Sequence, residues 1–174
     1  QPEALERSLK GRIDLRRGEV VLGGLSDHAR QLVQARRVVL LGQGTALHAA
    51  MIGAQLIEHW CRIPAEAAYA SEFRYRNPVV EEGTVVISVS QSGETADTLG
   101  GLREARERGA FALGVVNVVG STIARETDAG VHLRVGPEIG VASTKAFLGQ
   151  VSVLTLIAAW MGRRRHRQRR RRQR

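Results

Sequence analysis

The sequence predicts an α/β protein in which five short strands form a parallel sheet between two layers of helix. Two observations carry that reading. Apolar runs rich in β-branched residues alternate along the chain with helix-length amphipathic stretches. Turns rich in Gly, Ser, Thr, Asn or Pro separate them. Strands that alternate with helices pair in parallel and are covered on both faces, and their crossovers are right-handed.

The elements follow in order. Residues 2–9 read as a helix with Pro2 in its first turn and Gly11 beyond its end. Residues 14–24 read as irregular, with a brief apolar run at 20–22. Ser26 or Asp27 can cap a helix that runs to about Gln34. A first sheet strand follows at 38–41, then the turn Gly42, Gln43, Gly44, Thr45, then an apolar helix over 46–60. Pro64 breaks that pattern, and 65–69 is the second strand. Ser71 can cap a short turn through Glu72 and Phe73, and Asn77 with Pro78 marks a loop. The third strand is 85–89, and its helix runs to Arg108 and stops at Gly109. The fourth strand is 111–116. Ser121 caps a short helix holding Ile123 and Ala124. The fifth strand is 131–135, followed by a Gly/Pro turn at 136–140. Ser143 or Thr144 opens the last helix, which runs to Met161. Five strands of this kind fit a doubly wound sheet of order 2-1-3-4-5.

Composition bounds the function. The chain has 174 residues, enough for one domain with a substantial core. The formal net charge is +9, and nine arginines fall within residues 163–174, so the rest of the chain is formally neutral. The basicity belongs to the tail, which argues against a nucleic-acid-binding face on the folded part. Cys61 is the single cysteine, so no intrachain disulfide can form. No run of 18 apolar residues and no secretory signal is evident, and a cytoplasmic protein is the expectation. His28, His48, His59 and His132 show no metal-ligand spacing, and neither a metal nor a cofactor is expected.

The chemistry concentrates in residues 85–98, VVISVSQSGETADT. A strand breaks into Ser90, Gln91, Ser92, Gly93, Glu94 and Thr95, and a helix then begins. Small hydroxyl residues at a helix start set O–H donors beside unpaired backbone N–H groups and the positive end of the helix dipole. Such a turn binds phosphate without a lysine. Ser and Thr also favour N-caps, so ordinary helix capping is the competing account. Topology separates the two. In a doubly wound sheet ligands lie outside the carboxyl ends of the first and third strands, where the turns 42–45 and 90–95 both fall.

Three motifs, SQSGETADT at 90–98, ASEFRYR at 70–76 and GPEIGVASTKAF at 136–147, together resemble the glutamine:fructose-6-phosphate aminotransferases, and the similarity extends from about Pro2 to about Met161. It falls in the first of two sugar-isomerase (SIS) halves of that family's isomerase region. The resemblance implies an αβα sandwich of flavodoxin-like strand order that binds fructose 6-phosphate or a related hexose phosphate, with two copies pairing as a dimer. By resemblance Ser90, Ser92 and Thr95 take the phosphate with Gln91 beside them, Thr45 contributes from the first turn, and Val141 and Ser143 contact the sugar. The family's first turn reads Cys-Gly-Thr-Ser. Here Gln43 and Ala46 stand at its ends, and Ala46 has no hydroxyl to donate.

The family's catalytic groups are a lysine that forms a Schiff base with the open-chain ketose, a glutamate that moves the proton and a histidine that assists ring opening. None has a matching position, so no catalytic residue is assigned. The glutaminase nucleophile is also without a counterpart, since residue 1 is Gln1 and Cys61 reads as a buried structural thiol. Lys145 can help hold an anion but lacks the environment a Schiff-base lysine needs. Glu94 reads as a carboxylate favoured by a helix N-terminus. Asp97 and Glu104 belong to helix surfaces.

The expected organisation is an N-terminal helix and connector at 1–25, a SIS domain at 26–162 and a disordered arginine tail at 163–174. Like charges with nothing to bury leave the tail unstructured. It is either a polybasic arm that grips nucleic acid or a stretch foreign to the family, such as a reading-frame shift produces. The neutral folded part favours the second, and nucleic acid is not an expected partner. The expected function is therefore the sugar-phosphate-binding part of an aminotransferase, inactive as this chain alone. The alternative is a stand-alone SIS module that senses a hexose phosphate.

Overall fold

A computed structural model of the chain describes residues 1–139 and 143–172. In order the elements are α1 (Pro2–Leu9), β1 (Ile13–Asp14), β2 (Glu19–Val20), α2 (Gly23–Ser26), α3 (Ala29–Gln34), β3 (Arg37–Gly42), α4 (Thr45–Cys61), β4 (Ala65–Tyr69), α5 (Ala70–Tyr75), β5 (Thr84–Ser90), α6 (Ala96–Glu107), β6 (Phe111–Val116), α7 (Thr122–Glu126), β7 (Ala129–His132) and α8 (Lys145–Arg172). Five strands form one parallel sheet in the order β4-β3-β5-β6-β7, which is the 2-1-3-4-5 arrangement expected.

Side-chain alternation explains the three layers. Along β3, Val38 and Leu40 join the core beneath α4 and α8, whereas Val39 and Leu41 join the cluster beneath α5 and α6. Val85, Ile87 and Val89 of β5 face the first layer, and Val86 faces the second. Leu102 of α6, Ala112 and Val116 of β6 and Ile123 of α7 close the second layer. Central parallel strands are buried on both faces and so read as unbroken apolar runs. On the first layer α4 and α8 pack along each other, and α1 and α3 lie against α8.

Several expectations shift. Residues 14–24 are not wholly irregular, because β1 and β2 pair antiparallel, with Ile13 opposite Val20. The helix expected from Ser26 or Asp27 begins later, as α3 at Ala29, and the short helix α2 precedes it. Neither residue caps α3, since His28 holds that place and the Ser26 hydroxyl donates to the Leu22 carbonyl instead. The fifth strand ends at His132, before the expected 135. Arg134 takes a left-handed φ of 61°, which ends the pairing, and the Val135 amide turns to donate to Asn117 Oδ1.

The largest correction concerns the tail. The stretch expected to be disordered continues α8 without a break to Arg172. Arginine is a good helix former, and adding residues to an existing helix avoids the cost of nucleation. Cations near a helix C-terminus also oppose the macrodipole favourably. The first arginines find specific partners. Arg163 donates to the carbonyls of Gly18 and Arg17 and pairs with Glu19, which also lies 3.0 Å from Arg167. Arg165 donates to the carbonyls of Val33 and Ala35 at 2.6 and 3.2 Å, and Arg164 stacks over Trp160 at 4.1 Å. By length and composition α8 could cross a membrane, yet 61% of its apolar window is buried inside this fold.

Candidate functional site

β3 leads through α4 to β4 on one side, and the chain then returns to place β5 on the other side of β3. The crevice between the carboxyl ends of β3 and β5 is thus the switch point of the sheet. Gly42 makes the first turn tight enough. A Cβ there would come within 2.8 Å of the Ala46 carbonyl carbon and the Leu47 nitrogen, so only glycine lets α4 start so close to the strand. Gly93 does the same for the second turn. Its φ is +69°, and a Cβ would meet the buried Ser121 side chain, with Ser121 Cβ 2.6 Å away.

These turns enclose a cavity of about 160 Å³. Thr45, with Gln43 and Ala46, lines it from the first turn. Ser90, Gln91, Ser92 and Thr95 line it from the second, and Ser143 closes it from the start of α8. The structure therefore gathers six of the seven residues singled out from the sequence. The seventh, Val141, lies outside the described residues. A larger cavity of about 650 Å³ opens at the amino ends of β5 and β6, beside Glu82, Phe111 and Arg165. It is at the wrong end of the sheet for a switch-point ligand.

The hydroxyls form a pre-ordered set. Ser90 Oγ accepts from the Gly93 amide at 3.0 Å and lies 3.0 Å from Thr95 Oγ1. That pair shares one proton, so the other O–H remains to donate outward, whichever residue carries it. Ser92 Oγ accepts from the Glu94 amide at 3.1 Å and keeps its own proton. Thr95 occupies the N-cap position of α6 but makes no side-chain capping bond. Its hydroxyl is directed to Ser90 instead, so simple helix capping does not account for it. Among the described residues no charged side chain lines the cavity, and its donors are hydroxyls, side-chain amides and the start of a helix.

The carboxylates near the crevice are committed elsewhere. Glu94 Oε1 accepts from the Thr122 amide at 2.7 Å, so it favours the N-terminus of α7 rather than that of its own helix. Hydrogen bonds from the Thr122 side chain and amide hold its carboxyl below the usual range. Asp97 receives the Gln43 side-chain amide at 3.4 Å. Lys145 is half-buried and does not line the cavity, while its backbone amide donates to Glu138 at 3.1 Å. Cys61 is buried, lies 3.3 Å from the Ala158 carbonyl and has its thiol pushed up to about 11 by burial. That is a structural thiol with no thiolate to offer.

Glu138 was not singled out by the sequence, and it organises the far wall. Its carboxylate accepts from the amides of Thr144, Lys145 and Ala146 and from the hydroxyls of Ser143 and Thr144, at 2.8–3.2 Å. It therefore caps α8 and fixes Ser143 at the cavity. Burial alone pushes this carboxyl up, but the hydrogen bonds from Thr144, Ser143, Ala146 and Lys145 outweigh that and hold it below the usual range. A depressed folded pKa gives stability that is present above the ordinary carboxylate pKa and lost as pH falls through the depressed value. Glu138→Gln is expected to cost about 1 kcal/mol at neutral pH. It should also flatten the decline in stability below about pH 4, as read from urea midpoints across pH.

A doubly wound sheet with a polar crevice at its switch point defines an α/β ligand-binding domain of the αβα-sandwich kind. The chain belongs to the SIS domain family, whose model matches residues 31–159. It is 52% identical over 163 residues to a glutamine–fructose-6-phosphate aminotransferase (isomerizing) of Bacteroides thetaiotaomicron, covering 94% of this chain and 26% of that protein. It is 45% identical over 161 residues to human glutamine–fructose-6-phosphate aminotransferase 2, covering 92% of this chain and 24% of that protein. The chain thus spans about a quarter of the length of these curated relatives. Among solved structures, the C-terminal domain of glucosamine-fructose-6-phosphate aminotransferase from Francisella tularensis superimposes with a TM-score of 0.87 at 33% identity, over 95% of this chain and 46% of that one. The resemblance read from the three motifs holds, and the matching region is the isomerase SIS portion of those enzymes.

Proposed function

We propose that this chain is the fructose-6-phosphate-binding SIS portion of a glutamine:fructose-6-phosphate aminotransferase, the enzyme of glucosamine 6-phosphate synthesis. The observation that carries the reading is the uncharged Ser90, Ser92 and Thr95 cluster at the switch point, in a chain half identical to that enzyme over 163 residues. Uncharged donors suit a phosphate ester, because several hydrogen bonds and a helix N-terminus spread its charge without a fixed ion pair. Thr45 and Ser143 complete the walls, and Val141 is the residue that contacts the sugar by resemblance to the family. Ala46 removes one donor from the first turn, which weakens the grip without moving it.

The chain by itself carries no Schiff-base lysine, no proton-moving glutamate and no ring-opening histidine in this reading. It binds and orients the ketose phosphate, and the rest of the chemistry requires groups beyond it. The setting is the cytoplasm, and two copies pair. Met51 and Ile52, exposed on α4, support that pairing. The test is calorimetric titration with fructose 6-phosphate, fructose and inorganic phosphate, together with an assay for glucosamine 6-phosphate. Binding of the phosphorylated sugar, none of fructose and no product are expected. Failure to bind fructose 6-phosphate removes the reading.

A further inference from the structure

Gln150 and Thr98 are two polar residues of the crevice that the phosphate cluster does not use. Both line the same 160 Å³ cavity as Ser92 and Thr95. Gln150 is 1% exposed and Thr98 is fully buried, and Gln150 Oε1 and Thr98 Oγ1 have no hydrogen-bond partner among the described residues. Their placement makes this notable. Gln150 is one turn from Ala146 and one turn from Leu154 on α8, and both are fully buried, so it stands on the core face of that helix. An unfilled acceptor there destabilises the fold, whereas an apolar side chain of similar size does not. Thr98 lies three residues after Thr95 on α6, on the same side as the phosphate cluster.

The size of the cavity limits what the acceptor can meet. At about 160 Å³ it is smaller than the roughly 300–1,000 Å³ that encloses a whole drug-sized ligand. It holds a phosphate group and the carbon atoms next to it, while the rest of a hexose projects through the mouth. A phosphate dianion offers only acceptors, so it cannot satisfy a carbonyl oxygen. A sugar hydroxyl can.

We propose that Gln150 is a specificity-determining residue of the crevice: its Oε1 accepts a hydrogen bond from the C5 hydroxyl that the open-chain hexose 6-phosphate carries beside its phosphate-bearing carbon, with the Thr98 hydroxyl beside it. This rests on the crevice being the sugar-phosphate site. Ser90, Ser92 and Thr95 then read the phosphate, and Gln150 reads the sugar attached to it, so inorganic phosphate and a sugar phosphate are told apart within one small cavity.

The experiment compares fructose 6-phosphate, the acyclic glucitol 6-phosphate, its 5-deoxy analogue and inorganic phosphate on the parent chain, Gln150→Met and Thr98→Val. Losing one buried hydrogen bond is expected to weaken fructose 6-phosphate binding by Gln150→Met about tenfold, with inorganic phosphate changed by less than about twofold. Thr98→Val should show the same pattern more weakly. The melting temperature of Gln150→Met should not fall, because methionine fills similar volume and leaves no empty acceptor. On the parent chain 5-deoxyglucitol 6-phosphate should bind about tenfold more weakly than glucitol 6-phosphate, since both ligands are acyclic and differ only in the C5 hydroxyl. Equal losses for fructose 6-phosphate and inorganic phosphate, an unchanged affinity for fructose 6-phosphate, or equal binding of the two hexitol phosphates by the parent would overturn the assignment. A parent chain that binds inorganic phosphate but does not prefer the sugar ester overturns this proposal and leaves the phosphate site standing. A parent that binds neither overturns both.

Discussion

Replacing Ser92 and Thr95 together by alanine is expected to weaken fructose 6-phosphate binding by about 10²–10⁴-fold, because each lost hydrogen bond to a charged group is worth about 1.5–3 kcal/mol. The fold should survive the change. Thr95 holds the N-cap position of α6 without a capping bond, so its loss does not uncap the helix. Ser92 accepts only the Glu94 amide within the turn. Gly93 and Ser121 keep the shape of the turn through backbone conformation and close contact, not through the two hydroxyls. The Thr95→Ala single change should act partly through Ser90, whose hydroxyl loses the neighbour that orients it. The losses from Thr95→Ala and Ser90→Ala should therefore be non-additive, a coupling that a double-mutant cycle measures directly. Full affinity in the variant that replaces both Ser92 and Thr95, with its melting temperature intact, would place the phosphate elsewhere.

Much of the fold was legible because parallel strands buried on both faces read as plain apolar runs. The expected 111–116 coincides with β6, and 38–41 and 85–89 each fall one residue short of the ends of β3 and β5, while the half-buried edge strand β4 matches the expected 65–69 because Pro64 marks its start. The crevice was legible through topology: the turns 42–45 and 90–95 follow the first and third strands, where a doubly wound sheet opens its crevice. What escaped depends on partners distant in sequence. Arg134 ends β7 early through a left-handed backbone that its residue type does not signal. The tail was read as mutual repulsion alone, whereas Arg163 and Arg165 are held by carbonyls some 130 to 145 residues away. Glu138 stands six residues before Thr144, outside the three-residue spacing of a capping box, so its role as the cap of α8 was hidden. Gln150 did leave a trace, as a single polar residue on the apolar face of the last helix. Only its burial shows that it faces the crevice rather than solvent.

Leu154→Ala is expected to cost about 2–5 kcal/mol, the largest loss of stability among single changes considered. Leu154 is fully buried at the centre of α8. A Cβ added at Gly53 would come within 3.0 Å of Leu154 Cδ1 and 3.1 Å of Leu40 Cδ2. α4 therefore passes over β3 with no side chain at that point, and Leu154 fills the space from above. No neighbouring backbone can move in to close a cavity left there, because α4 is already in contact. Against a typical total of about 5–15 kcal/mol, such a loss brings the domain near its unfolding threshold at ambient temperature. Leu15→Ala, at a residue that is 88% exposed, should change stability by less than about 0.5 kcal/mol and serves as the comparison. Urea midpoints separate the two. The same measurement links core to crevice, since α8 carries both Leu154 and Gln150. Fructose 6-phosphate at about a hundred times its Kd should return about 2.7 kcal/mol to Leu154→Ala, as to the parent. Ligand that stabilises the parent but not the variant would show that packing of α8 against α4 is a condition for forming the site, and a Leu154→Ala loss below about 1 kcal/mol would mean that α8 does not pack in this register.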